Sequence, residues 1–161
     1  MSFASQLDQC KNFGDVFELV KKTTERSLGL RRAGLMLYLA ELPRHIGAFH
    51  TLGTNGIVMN RKTLDIVTHT SGSLKLINSY VYSILLHEYL HALGIADESR
   101  VKELGHKIAS EMFGSDHPAT IMAAKGPGEF FPRLFEYDDA SANRSPEVIA
   151  DFDRSSRRYI T

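Results

Sequence analysis

The sequence has few of the features that mark secreted, membrane-bound or nucleic-acid-binding proteins. Its one cysteine, Cys10, excludes an internal disulfide and a cysteine-based zinc finger, and it fits a reducing compartment. Basic and acidic residues number 19 each, so the net charge gives no reason to expect a nucleic acid partner. The apolar runs are too short and too interrupted to span a membrane, and the first residues lack the pattern of a signal peptide. We therefore expect a soluble, cytoplasmic protein without a membrane partner.

The chain has the length and the hydrophobic content of one globular domain. It contains 161 residues, of which 43% are hydrophobic, enough to bury a core. We predict a single domain over residues 1–137. Residues 138–161 are polar and poor in aromatic side chains, which predicts a C-terminal tail that is either mobile or inhibitory. In the inhibitory case the tail folds back over the site and brings Asp138 and Asp139 within reach of a metal.

Helical and strand-like patterns alternate along the domain. A helical apolar pattern covers residues 14–28, and the strand-like segments IGAFH and NGIVMN flank the turn-like TLGTNG. From about Leu74 the pattern is helical as far as Gly94, a residue typical of a helix end. Asp97 is a typical N-cap for the next helix, which extends to about Phe113. These patterns predict an α+β fold, in which a small mixed sheet packs on these two consecutive helices.

The segment HEYLH, residues 87–91, ends the long apolar helix and has the spacing of a metal site. His87 and His91 are four residues apart, so on a helix both imidazoles lie on one face and are able to bind one ion. Glu88 lies about 100° further round the helix, where it reaches a water held by the ion rather than the ion itself. This is the HExxH arrangement of two zinc ligands and a general base. An unpaired His-Glu-His group on an apolar stripe would be costly, and a bound metal removes that cost.

A catalytic zinc needs a third protein ligand, and two neighbouring acids are candidates. Asp97 completes HEYLHALGIAD, a spacing that resembles the metzincins, and the stretch PATIM with Met122 resembles their Met-turn. Glu98 instead opens the following helix. That layout resembles the gluzincins, whose third ligand is a glutamate on the helix after the active-site helix. We favour Glu98, because the residues after it have a helical pattern and Asp97 already serves as a helix cap.

The small size of the chain and the segment HEYLHALGIADE resemble the minigluzincins, single-domain archaeal zinc peptidases. The resemblance covers mainly residues 50–115. It implies zinc as cofactor, held by His87, His91 and Glu98, and a peptide or protein as substrate. It further implies that Glu88 takes the proton of a zinc-bound water as that water attacks the peptide bond.

One position departs from this resemblance. In gluzincins of the thermolysin kind an aspartate four residues after the ligand glutamate supports the first histidine, and Lys102 stands at that position here. The residue that supports His87 is therefore unidentified, although a metal-bound histidine normally has such a partner.

The rival prediction is a non-catalytic module, in which a closed zinc site or a degenerate peptidase fold only holds a partner peptide. A fourth protein ligand from His106, Asp97 or His117 would favour that alternative, because structural zinc sites are closed by four ligands. In the enzyme reading, the strand-like AFHTLGTNGIVMN is a candidate edge strand that binds an extended peptide, and Tyr137 is a candidate donor to the oxyanion.

Overall fold

Six helices and a four-stranded mixed sheet make up residues 1–135 and 144–154, the parts of the chain that the computed structural model describes. The α+β class predicted from the sequence is confirmed. In chain order the elements are α1 (Phe3–Asp8), α2 (Phe13–Leu28), β1 (Met36–Ala40), β2 (Ala48–His50), β3 (Gly56–Asn60), α3 (Arg61–Thr70), α4 (Leu74–Ala92), α5 (Glu98–Phe113), α6 (Pro118–Lys125) and β4 (Glu147–Val148). Two short 3₁₀ turns, Pro127–Glu129 and Pro132–Phe135, follow α6.

The sheet has the strand order β2-β3-β1-β4. The central strands β1 and β3 are parallel, whereas β2 pairs antiparallel with β3 and β4 pairs antiparallel with β1. Alternate residues of the central strands are buried, as expected for a sheet with one face on the core: Leu37, Leu39, Ile57 and Met59. Within the described residues β2 is an edge strand, and it contacts α4.

Helix α4 is the centre of the fold and is buried on most of its circumference. It packs against α2, α5 and α6, and its buried residues include Tyr80, Tyr82, Leu85, Tyr89 and Leu90. Each fully buried side chain of this size contributes roughly 1.5–3 kcal/mol of hydrophobic stabilisation. None of the helices in the described parts of the chain combines the length and the apolar composition needed to cross a bilayer.

A short connection places the start of α5 beside the end of α4. Gly94 has φ 103°, a left-handed conformation that side-chain-bearing residues rarely adopt, and there the chain leaves the direction of α4. The side chain of Asp97 then accepts a hydrogen bond from Ser99 N–H at 3.1 Å and caps α5, as the sequence predicted. The residue after this cap, Glu98, is therefore the first residue of α5.

The described part of the predicted C-terminal tail packs on the domain. Ile149 N–H donates to the carbonyl of Leu37 at 2.9 Å, and the ring of Phe152 stacks on Phe17 at 4.1 Å between centroids. Residues 144–154 thus belong to the packed fold, although their polar composition predicted a tail. A few apolar side chains in a polar segment give too weak a pattern to be recognised. Tyr137, Asp138 and Asp139 lie outside the described residues, so the inhibitory role of the tail stays a prediction.

Candidate metal centre

His87, His91 and Glu98 come together where α4 ends and α5 begins. The two histidines lie one helical turn apart on α4, with ring centroids separated by 5.1 Å. One oxygen of the Glu98 carboxylate is 2.6 Å from Nε2 of His87, and the other is 2.9 Å from Nε2 of His91. One ligand atom from each residue falls within 4.8 Å of the other two, so the three side chains are close enough to hold one metal ion.

The ring of His91 is oriented by a backbone carbonyl. Its Nδ1 lies 2.8 Å from the carbonyl oxygen of Ile95, and because a carbonyl oxygen only accepts, Nδ1 carries the proton. In the neutral ring Nε2 is then a bare lone pair, and it faces an oxygen of Glu98. Two acceptors at this distance require a proton or a cation between them. Fixing Nδ1–H in this way is also how proteins prepare a histidine to bind metal through Nε2.

Charges and burial set the protonation of the cluster. Burial lowers the pKa of His87, with Glu98 opposing that shift, so the ring remains in the neutral, metal-binding form to a lower pH. Burial tends to raise the pKa of Glu98, but the imidazoles of His87 and His91 outweigh it and the pKa is lowered. The cluster therefore offers the neutral ring of His87 and the carboxylate of Glu98, beside the ring of His91 that the Ile95 carbonyl orients.

Glu88 lies beside this cluster and is buried. Burial raises the pKa of its carboxyl to about 7, with nearby His91 lowering it and Glu98 raising it further. A carboxyl with a pKa near 7 takes up and releases protons at neutral pH, which is the property that general acid–base chemistry needs.

The two acids that competed for the third position are separated by the fold. Asp97 is used as the cap of α5, whereas Glu98 faces both imidazoles. Met122 lies inside helix α6 and not in a turn, so the Met-turn suggested by its sequence has no counterpart here. Among the described residues the arrangement is that of a glutamate on the helix after the histidines.

A cavity of about 340 Å³ opens beside the cluster, lined by His87 and Glu88. Edge strand β2 and the turn before it supply Gly47 and Ala48 to one wall, and α5 supplies Lys102. The remaining wall comes from the end of α6 and the residues after it, 122–127, of which the sequence patterns had marked only Met122.

A second cavity of about 390 Å³ adjoins the first. It has a largely apolar lining that includes Tyr80 and Leu134, and it shares Gly47, Ile84 and Pro127 with the first cavity. Ala48 of β2, an edge strand within the described residues, thus borders the first of two adjoining cavities, where such an edge is able to pair with an extended chain.

The other histidines considered as ligands have different surroundings. His106 is exposed and lies outside the cluster. His117 accepts from Ala119 N–H through Nδ1 at 3.1 Å, and its Nε2–H donates to Asp8 at 3.0 Å, so it caps α6. Nδ1 of His87 has no hydrogen-bond partner among the described residues, and Lys102 does not supply one.

Comparisons with protein-family models, with curated proteins and with solved structures give no match to this chain. The resemblances drawn from HEYLHALGIADE therefore depend on that segment alone. What the arrangement is able to do has to be argued from its own atoms.

Proposed function

We propose that the protein is a zinc-dependent peptidase, in which His87, His91 and Glu98 hold the metal and Glu88 is the general base. One observation carries the proposal. Nε2 of His91, a lone pair in the neutral ring, faces a carboxylate oxygen at 2.9 Å, and the second imidazole faces the other oxygen of the same carboxylate at 2.6 Å. A proton or a cation has to lie between Nε2 of the neutral His91 ring and the carboxylate, and a metal ion bound by all three converging residues meets that need.

The number of ligands supports a catalytic site over a structural one. Three donors converge among the described residues, and a tetrahedral zinc ion held by three protein ligands keeps one position for water or substrate. The cavity beside the cluster gives a substrate access to that position. Of the candidates for a fourth ligand, Asp97 and His117 are used as helix caps, and His106 lies outside the cluster.

The donor set favours zinc over other divalent ions. Two imidazole nitrogens and one carboxylate are typical of catalytic zinc, whereas magnesium and calcium prefer oxygen ligands only. A bound zinc ion supplies a Lewis acid that acidifies a water molecule and polarises a peptide carbonyl.

The residues of the chain supply the remaining parts of the reaction. Glu88 accepts the proton that the attacking water loses and returns it to the leaving nitrogen, a cycle suited to a carboxyl whose pKa lies near neutrality. The edge of β2 aligns the substrate by pairing with its backbone. A peptide or a protein is therefore the proposed substrate. The free, buried Cys10 fits a cytoplasmic location for this enzyme.

The test combines metal content with hydrolysis of a peptide library. We expect about one zinc ion per chain in the wild type and in Glu88→Gln, because Glu88 is not a ligand. Loss of the general base should lower turnover by about 10²–10⁴-fold. Glu103→Gln, an exposed glutamate on α5, is the matched control and should keep full turnover. A zinc-loaded Glu88→Gln protein that still turns over at the wild-type rate would rule out the role of Glu88.

A non-catalytic zinc-binding or peptide-binding module is the second candidate. It is favoured by Nδ1 of His87, which has no hydrogen-bond partner among the described residues, whereas metal-bound histidines normally have one. A protein that binds zinc and peptides but hydrolyses none of the library would support this candidate over the peptidase.

A further inference from the structure

Lys102 is the basic side chain of α5 that borders the candidate site. It lies one helical turn after Glu98 and lines the same cavity as His87 and Glu88. The side chain is exposed, so the ammonium group is at the mouth of the cavity, where an entering ligand passes.

Lys102 differs from its neighbours in having no acidic partner among the described residues. On the same helix, Arg100 pairs with Glu103 at 3.5 Å and Lys107 pairs with Glu111 at 3.1 Å. Across the cavity, Lys125 lies 3.7 Å from Glu129. Of the two lysines that line the cavity, Lys102 is therefore the one without an acidic partner among the described residues.

The charges that line the cavity point to a negatively charged ligand. Glu88 is the acidic residue of the lining, and its side chain is buried. At the rim Lys102 supplies a positive charge with no acidic partner among the described residues, whereas Lys125 faces Glu129. A peptide that carries a carboxylate gains an ion pair at this rim, whereas one with an extra positive charge is disfavoured.

We propose that Lys102 binds a carboxylate of the substrate, so that the site prefers peptides with an acidic side chain or a free C-terminal carboxylate close to the bond to be cleaved. This inference rests on the proposed function, because it places the peptide in the cavity beside the candidate zinc ligands. Lys102 acts here as a specificity residue and takes no part in the chemical step.

The test is equilibrium binding of three probe peptides to the zinc-loaded full chain carrying Glu88→Gln, measured by calorimetry. The probes are N-acetylated hexapeptides of alanine and phenylalanine. One has a C-terminal amide and no charge, the second has the same amide and one central glutamate, and the third is the neutral peptide with a free C-terminal carboxylate. We expect the carboxylate that Lys102 binds to tighten binding by about two- to fivefold, the range of an exposed charge pair.

Substitutions then show whether this preference depends on Lys102. Lys102→Gln should remove the preference, Lys102→Arg should keep it, and Lys107→Gln, on the same helix but outside the cavity, should leave it unchanged. The preference should also weaken at high salt, since the pair lies at the rim. Equal binding of all three probes, absence of binding, or a preference that survives in Lys102→Gln would overturn the inference. The central-glutamate and free-carboxylate probes distinguish a side-chain preference from a C-terminal one.

Failure of this inference and failure of the proposed function give different results. Hydrolysis by the wild type tests the peptidase, and binding to the Glu88→Gln protein tests Lys102. If the chain hydrolyses no peptide but shows the Lys102-dependent preference, the inference stands and the peptidase proposal fails. If the chain hydrolyses neutral and acidic peptides alike and binds all probes equally, the peptidase proposal stands and the inference fails.

Discussion

Two clusters of ionisable side chains in this molecule differ in whether the protein itself supplies a partner for each charged group. In one, buried Lys21 lies 2.7 Å from Asp153 and 3.0 Å from Glu18. In the other, His87, His91 and Glu98 face one another beside an open cavity. Both bring distant or separate elements together through charged groups, yet only the first is balanced by the protein itself.

In the Lys21–Asp153 pair, both oxygens of the carboxylate accept hydrogen bonds from donors of the protein. Asp153 accepts from Lys21 Nζ with one oxygen, and with the other it accepts from the backbone N–H groups of Gly34 and Leu35 at 2.8 and 3.1 Å. A buried carboxylate surrounded by an ammonium and two amides needs nothing further. This cluster fastens the C-terminal segment to α2 and to the start of the sheet, and its role is structural.

The histidine cluster lacks this balance within the described residues. One carboxylate faces two imidazole nitrogens, of which Nε2 of His91 is an acceptor in the neutral ring, and no ammonium or guanidinium group of the described residues lies between them. The difference teaches a criterion for distinguishing structural from functional ionisable groups. A structural cluster has donors and acceptors in balance, whereas a functional one leaves room for a charge from outside the chain.

The largest predicted effect concerns the balanced cluster. Lys21→Met should lower the free energy of unfolding by about 3–5 kcal/mol, because it leaves the Asp153 carboxylate buried without its cation. Urea unfolding of the purified protein measures this. The neighbouring, exposed Lys22→Met is the matched control, with an expected change within about 0.5 kcal/mol. Similar urea midpoints for Lys21→Met and Lys22→Met would mean that the Lys21–Asp153 pair has no special structural role.

The second prediction concerns the unbalanced cluster. Glu98→Ala should weaken zinc binding by more than about a hundredfold, since loss of a ligand costs more than loss of the hydrogen-bonded groups behind it. Competition with a chromophoric chelator gives the affinity. In the metal-free protein the same substitution should change the free energy of unfolding by only about 0.5 kcal/mol, as for an exposed ion pair. A large loss of stability without metal would mean that this cluster is structural as well.

The third and smallest effect separates the two acids at the start of α5. Asp97→Ala should lower the free energy of unfolding by about 1 kcal/mol through loss of the helix cap, and it should leave zinc affinity nearly unchanged. Calorimetry and zinc titration on one preparation measure both quantities. Asp97→Asn keeps a capping side chain and serves as the control. Loss of zinc in Asp97→Ala with binding retained in Glu98→Ala would identify Asp97 as the third ligand and favour the metzincin-like alternative.

Much of the secondary structure was predictable from local signals. The helices around residues 14–28 and 74–92, the N-cap Asp97 and the end of α5 at Gly114 all follow from apolar spacing and from caps. Residues 61–70, whose pattern is compatible with a strand or a helix, form α3, because a short apolar segment does not distinguish the two. The packed position of residues 144–154 was not predictable, since it depends on a few contacts with distant parts of the chain.

The sequence by itself determined that two imidazoles share a helix face with a glutamate next to them. That result depends only on the 3.6-residue turn, which brings residues i and i+4 together wherever the helix lies. The tertiary structure alone decided that Glu98 reaches both rings, that the carbonyl of Ile95 orients His91, and that Lys102 borders the cavity. It also decided the pairing of Lys21 with Asp153, residues 132 positions apart. Such contacts depend on the direction in which the chain turns between elements and on how whole helix faces pack, and no local spacing specifies either.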